Sequence, residues 1–483
     1  MTTATVVARN ITSTQSVPEQ EVSAYTDSLP RQYGFEPLRI EGKIPEDLHG
    51  TLYRNGPGLL DLFGKAYDHF FEGDGAVSAV RFEGGKAFGA VKVVQSEGLK
   101  LEQRAGKALF GNHVSWPKRF WNQHKYGGKN TANTNVITWQ GRLFALMEGG
   151  KPTELSPEDL ATIGETDLDG LLPGTFSAHP HEVPGRQALY NFGLRYGRFT
   201  YLDLFELPFK GKPRRVASVQ LPFPPMLHDF MVTENYFVFF LAPIKVRVMR
   251  ALLSIGSFPD FFKWDADEGT EVILIPIDDP EKVVRFKTDA FHQWHFCNGV
   301  ERNGELHIDL VHYKDFSSFE ELQKDPGAEF SRDPEKWGTF HRMVIDPKTK
   351  SFQKEQLWSG SCEFPRIHPD LLTKDYQYVW MVNEPGEDER GREPHSLIRL
   401  DVKSGQAVTF HLGRQNPSEP IFVPRKDSKS EADGHVLSLI YDPDSHTSHI
   451  GIFDGLKLEA GPVAKVWFDH HIPITFHGTW HQA

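Results

Sequence analysis

From about residue 35 onward the sequence predicts an all-β fold, a seven-bladed β-propeller with helical and loop insertions forming a cap over one face. Three observations carry this reading. Short apolar or alternating runs recur along the chain, each closed by Gly, Pro, Asn or Asp. No long helical pattern separates them. Finally, about 450 residues are too many for one sandwich, whereas seven four-stranded blades of ~60 residues each would use the chain. The blades carry no repeated signature such as a Trp-Asp dipeptide.

Taken in order, the strand candidates are TLYRNG, AVSAVRFEGGKAF, NVITWQGRLFALMEGG, YFVFFLAP, EVILIPIDDP, GELHIDLVHY, FHRMVIDPKTKSFQKEQLW, YQYVWMV, SLIRLDVKSGQAVTFHLG and HVLSLIYDPDSHTSHIGIFD. Hairpins such as MVIDPKTKSF and IRLDVKSGQAV share the form apolar–Asp–Pro/Val–Lys–x–Gly/Lys–apolar. Two stretches break the pattern. Residues 104–126 and 241–264 mix bulky apolar residues with Lys and Arg. In the second, Ile244, Val248, Leu252 and Ile255 fall at helical spacing, with Lys245, Arg247 and Arg250 nearby. It reads either as an amphipathic insertion at a membrane surface or as a helix packed inward over the blade tops. Residues 1–30, rich in Thr, Ser and Gln, read as a flexible N-terminal arm, and 31–483 as a single propeller domain.

Composition removes several function classes. The net charge of −12 argues against nucleic-acid binding through a positive field. Two cysteines, Cys297 and Cys362, exclude a disulfide framework and argue against a cysteine-ligated zinc or iron–sulfur site. A reducing, cytoplasmic setting is expected, with no signal peptide and no apolar run long enough to span a membrane. Phe is abundant, 36 residues against 10 Trp and 13 Tyr. Such a surplus can line an apolar pocket, but its main use in a β-rich chain is to fill the core.

Histidine is the other abundant type, with 22 copies. Local pairs such as His179 with His181, or His292 with His295, arise easily by chance in such a chain. Neither an HExxH helix nor a Cys/His zinc spacing is present. Four histidines stand out by their phrases: His179 in FSAHP, His228 in MLHDF, His295 in WHFCNGVE and His477 in PITFHGTW. Each phrase is strand-like and free of Lys or Arg beside the histidine. Single histidines at inner positions of different blades can converge on a propeller axis.

These phrases, together with EGKIPEDLHGTLYRNGPG, FEGDGAVSAVRF, NTANTN, LMEGG, CEFPRIHP and SEPIFVPR, resemble the carotenoid cleavage oxygenases from about Gly42 to the end of the chain. The likeness is greatest to the cyanobacterial apocarotenoid oxygenases. It implies a non-haem iron(II) dioxygenase that takes O2 as co-substrate and splits a conjugated C=C bond into two carbonyl products. The implied metal ligands are His179, His228, His295 and His477. His295, Asn298 and Glu301 satisfy the family pattern His-x-x-Asn-x-x-Glu, whereas His292 and His181 fall outside it. Glu148, Glu363 and Glu419 are the implied carboxylate partners of the ligands, and a carboxylate on the far nitrogen would fix tautomer and orientation. Taken alone, any one of these glutamates would more often be a solvated surface charge. Thr134 is implied to lean its methyl over one open coordination position.

Ligand type alone leaves Zn, Cu, Fe and Ni open; the resemblance selects Fe(2+), one per chain. Relatives act on carotenoid-derived polyenes or on stilbene-like phenylpropanoids. The phenol-cleaving ones carry a lysine where Met147 stands here, so the resemblance favours an apocarotenoid cut to a retinal-like aldehyde. Met147, Phe291 and Trp294 are candidate walls of the substrate pocket. The expected partners are a hydrophobic polyene and, through 241–264, a membrane surface contacted reversibly by a soluble protein. A different class stays open: a non-catalytic, metal-stabilised propeller binding module. A zinc hydrolase is a weaker third, because the three glutamates are already committed to histidines.

Overall fold

The computed structural model describes residues 27–111, 114–247, 249–250, 253, 258–321, 336–383 and 395–483. The N-terminal arm expected over 1–30 falls almost wholly outside the described residues. The rest is built on a ring of seven antiparallel sheets of at least four strands each, with two two-stranded sheets beside them. In chain order, blade 1 spans 135–165, blade 2 spans 181–221, blade 3 spans 231–288, blade 4 spans 292–361 and blade 5 spans 363–413. Blade 6 joins strands between 416 and 467 to Arg39–Gly42. Blade 7 joins Tyr33–Pro37, Lys86–Val93, Asp74–Glu83, Gly50–Leu59 and Gly478–Gln482, in that order.

Blade number is written in the packing as well as in the strands. Most of the described buried apolar residues fall into seven clusters, one at each blade-to-blade interface. Phenylalanine fills several of them. Between blades 2 and 3 the rings of Phe192, Phe230 and Phe239 pack with centroids 5.1–5.6 Å apart, and Phe237 stacks on Phe230 at 6.3 Å. Strand Tyr236–Leu241 (YFVFFL) is a continuous apolar run because both its faces are covered. Each fully buried Phe contributes ~1.5–3 kcal/mol by area. The Phe surplus is therefore mostly core. Asp346 accepts hydrogen bonds from the amides of Lys348 and Thr349, and Asp401 from those of Lys403 and Ser404, so both hairpins turn as their aspartates require.

Two strand pairs close the ring. Arg39–Gly42 pairs with Pro462–Trp467, and Gly50–Leu59 pairs with Gly478–Gln482. The second closure needs Gly56, where a Cβ would meet the Ile474 carbonyl oxygen at 2.2 Å. Helices α1 (Glu97–Ala105) and α2 (Trp116–Tyr126) lie in the connection from blade 7 to blade 1. Ser96 caps α1, Gly106 ends it in the left-handed region, and Pro117 starts α2. Lys129, pinned by Asp74 (2.7 Å) and Glu102 (2.8 Å) in a buried cluster, ties this connection to blade 7.

The helix expected from Ile244 to Ile255 is corrected at its start. Ile244–Val246 is a strand paired with Phe262–Trp264, and Ile244 is fully buried against Trp294 and Phe316. Strand pairing there satisfies the backbone that a helix would otherwise satisfy, and it buries Ile244 without a helical stripe. Val248, Leu252 and Ile255 lie outside the described residues.

Candidate metal centre

In six blades, the innermost strand is entered at a residue that faces the ring axis. These residues are Thr134 before Asn135–Trp139, His179 before His181–Val183, His228 before Met231–Val232, Glu363 opening Glu363–Arg366, Glu419 before Ile421–Pro424 and His477 before Gly478–Gln482. Blade 4 supplies His295 from a bulge early in His292–Arg302. Glu148, just after strand Arg142–Leu146, is the one further contribution. Residues far apart in sequence thus meet because each marks the same step of a different blade.

The four imidazoles converge, with their nearest nitrogens all within 4.8 Å of one another. His179 Nε2 lies 3.1 Å from His228 Nε2, which lies 3.2 Å from His295 Nε2. The far nitrogens are fixed by carboxylates. Nδ1–H of His228 donates to Glu148 (2.6 Å), that of His295 to Glu363 (2.6 Å) and that of His477 to Glu419 (3.0 Å). With its proton on Nδ1, each ring presents an Nε2 lone pair inward. Lone pairs about 3 Å apart repel unless a cation lies among them, and neighbouring nitrogens on one metal at ~2.0–2.1 Å lie about that far apart. The donor set therefore fits a metal ion, with three of the four rings oriented in the manner of metal-bound histidines.

Electrostatics reinforce the arrangement. Burial, with the neighbouring imidazoles, pushes His179 well below its ordinary pKa, and burial takes His477 down to about 4 despite Glu419. At His295 burial also opposes charge, but Glu363 outweighs it and raises the group. Glu419 resists burial through Arg366, His477 and Arg54, and stays well below the carboxylate range. Glu148 is the accessible member of the set, a third exposed.

Several supporting groups carry no sequence signal of their own, or only their place inside the quoted phrases. Arg54 of RNGPG, fully buried, donates to Glu419 (2.7 Å), as does Arg366 of CEFPRI (2.8 Å). Tyr313 donates to Glu363 (2.6 Å), as does the Phe364 amide (2.7 Å). Phe364 holds a φ of 55°, rare for a bulky residue, and its ring stacks on His295 at 5.0 Å. Phe70 and Phe71 meet Phe476, next to His477, at 5.9 and 5.4 Å. Asp229 of LHDF receives His181 (2.9 Å) and the amide of Phe296 (2.9 Å), which ties blades 2, 3 and 4 together.

His181 is thus committed to Asp229, outside the four-ring group. His292 lies outside it too. Asn298 and Glu301 of the His-x-x-Asn-x-x-Glu pattern act at a distance from the rings. Asn298 bonds the carbonyls of Leu371 and Lys374, and Glu301 bonds Thr233 and Asn235. Of the pocket candidates, Trp294 meets the His228 ring edge-on at 5.2 Å. The Met147 sulfur accepts the Gly149 amide at 2.9 Å. Phe291, just before the strand His292–Arg302, packs with Phe240 and Phe352 in the interface of blades 3 and 4 rather than beside the four rings. The Thr134 hydroxyl donates to Asn133 (3.2 Å) and Glu148 (3.4 Å), and its carbonyl accepts from the His477 amide (3.3 Å).

Comparison with known proteins agrees with this geometry. The model of the family described as retinal pigment epithelial membrane protein matches residues 28–482. Apocarotenoid-15,15'-oxygenase of Synechocystis is 33% identical over 96% of this chain and 97% of its own length. Lignostilbene-alpha,beta-dioxygenase isozyme III of Sphingomonas paucimobilis is 29% identical over 92% of this chain and 94% of its own. The solved structure of cobalt-substituted Synechocystis apocarotenoid oxygenase superimposes with a TM-score of 0.87 at 32% identity, covering 96% of this chain and 99% of that one.

Proposed function

The chain belongs to the retinal pigment epithelial membrane protein family of carotenoid oxygenases, and from that premise we propose that it is a non-haem iron(II) dioxygenase cleaving a conjugated C=C bond of an apocarotenoid with O2. The products are two carbonyl compounds, one a retinal-like aldehyde. The observation that carries this is the set of inward Nε2 atoms backed by three carboxylates. His179, His228, His295 and His477 would hold the metal. Iron(II) supplies the one-electron chemistry that lets O2 react with an alkene.

The rest falls to the protein's own residues. Adding both oxygen atoms across a C=C bond moves no proton, so the site needs no acid or base. Glu148, Glu363 and Glu419 fix the tautomer of three of the rings and keep them aimed. With the Thr134 hydroxyl engaged by Asn133 and Glu148, its methyl is the group left to restrict an open coordination position. Phe71, Phe364, Phe476 and Trp294 supply an apolar surround suited to a polyene. Met147 cannot bind a phenol oxygen as a lysine would, which favours the polyene over a stilbene.

The test is incubation of iron-loaded protein with a C30 apocarotenal and with resveratrol, followed by product chromatography and metal analysis. Cleavage of the apocarotenal with O2 uptake is expected. Cleavage of resveratrol alone would move the substrate to the stilbenes. Bound zinc without O2 uptake would instead support a binding module.

A polyene substrate resides in membranes, so reversible contact with a lipid surface is part of the proposal. No helix among the described residues is long and apolar enough to cross a membrane. Met249 of 241–264 is 67% exposed, and α2 presents Trp116 and Trp121, 55% and 64% exposed, beside Lys118 and Lys125. Liposome flotation should weaken when Leu252, Leu253, Phe261 and Phe262 are changed to Ser. Undiminished flotation would move the contact to α2.

A further inference from the structure

His292 opens the strand that carries His295, yet it takes no part in the four-ring group. Its side chain is buried, 2% exposed, and among the described residues neither ring nitrogen has a hydrogen-bond partner. Its surroundings are aromatic. The ring meets Trp294 edge-on at 4.7 Å and Phe316 edge-on at 5.0 Å, with Tyr313 at 6.1 Å. The polar atoms of these neighbours are engaged elsewhere: Trp294 Nε1 donates to Ser318, and the Tyr313 hydroxyl donates to Glu363. Trp294 in turn meets the His228 ring at 5.2 Å, so His292 stands one aromatic layer from the metal centre.

Burial holds this imidazole uncharged, and a neutral imidazole offers one N–H and one lone pair. Leaving a buried polar group unpaired is costly, whereas a phenylalanine in the same aromatic wall would cost nothing of the kind. We propose that His292 is a specificity residue that hydrogen-bonds the oxygen of a substrate's polar terminus, a hydroxyl or carbonyl, and so selects oxygenated polyenes over hydrocarbon ones. This rests on the polyene-cleaving reading of the neighbouring metal centre. A site built to pair with an oxygen function rejects the analogue lacking it, because the protein group is then stranded.

The test compares wild type, His292→Phe and His292→Asn on a C30 apocarotenal and on a hydrocarbon polyene of matching length. Dissociation constants come from quenching of tryptophan fluorescence, and KM and kcat from product formation. Wild type should prefer the apocarotenal. His292→Phe should lose ~10–100-fold in Kd and KM for the apocarotenal, with kcat and iron content unchanged and the hydrocarbon bound no worse. His292→Asn should keep much of the preference. An unchanged ratio of the two affinities in His292→Phe overturns the proposal, and so does loss of iron from that variant, which would make His292 a support of the metal. Binding selectivity is read without turnover. A wild type that binds both polyenes and cleaves neither therefore sinks the cleavage reading while still deciding the role of His292.

Discussion

The protein buries histidines in two contrasting ways. At the ring axis, the far nitrogen of His228, His295 and His477 faces a glutamate. Within blade 4, His312 and His341 also lie close, with ring centroids 4.6 Å apart, but the charged neighbour there is Lys354, whose Nζ donates to His312 Nε2 at 3.3 Å. Burial and Lys354 push these two down to about 3 and about 4. A carboxylate behind an imidazole makes it a better donor to a cation, and an ammonium beside it makes it a worse one. Proximity of histidines therefore does not define a metal site; the charge behind them does.

That contrast can be broken most forcefully at the ligands. His295→Ala should abolish iron retention and turnover, while His341→Phe should leave iron bound. Metal analysis of both purified variants decides it, and iron lost from His341→Phe with retention in His295→Ala would reverse the assignment. Removing the charge behind a ligand should do less. Glu363→Gln should cost ~10–100-fold in activity, and Tyr313→Phe, one hydrogen bond further out, less than that. Wild-type turnover in Glu148→Gln, Glu363→Gln and Glu419→Gln alike would remove the carboxylates from the account.

The smallest effect concerns pH. The folded values of His312 and His341, about 3 and about 4, lie below the ordinary value of ~6.5 expected in the unfolded chain. The unfolded state then binds more protons between pH ~6.5 and 4, so the stability these two lend is whole above that window and is lost as pH falls through it. His312→Phe should flatten the decline in melting temperature between pH 7.5 and 5. An unchanged slope would show that other groups dominate acid unfolding.

Much of this was legible in the chain. Strand runs and Asp-containing turns gave the all-β reading, since period-two patterning and turn chemistry are local. The four histidines stood out by their apolar phrases, but they were singled out as ligands, and the glutamates of LMEGG, CEFPRI and SEPIFVPR as their partners, only through the family resemblance. What escaped was whatever depends on contact between blades. Asp229 clips three blades, Arg54 reaches Glu419 across 365 positions, and Tyr313 supports Glu363, yet none has a spacing that announces it. Phe364 was equally silent, because a left-handed backbone at a bulky residue is imposed by its surroundings. At Ile244, helical spacing was outvoted by a strand partner 20 positions downstream, Trp264.

The closing strand has a consequence for how the centre communicates with the rest of the ring. His477 is joined by a single peptide link to Gly478–Gln482, whose partner is Gly50–Leu59 near the other end of the chain. Fraying of that short strand must carry His477 away from its three companions, and any ion gripping His477 must in turn hold the strand shut. The latch and the ligand are one mechanical unit, so the exchange of the Gly478–Gln482 amides with solvent deuterium is a gauge of how firmly the centre is occupied.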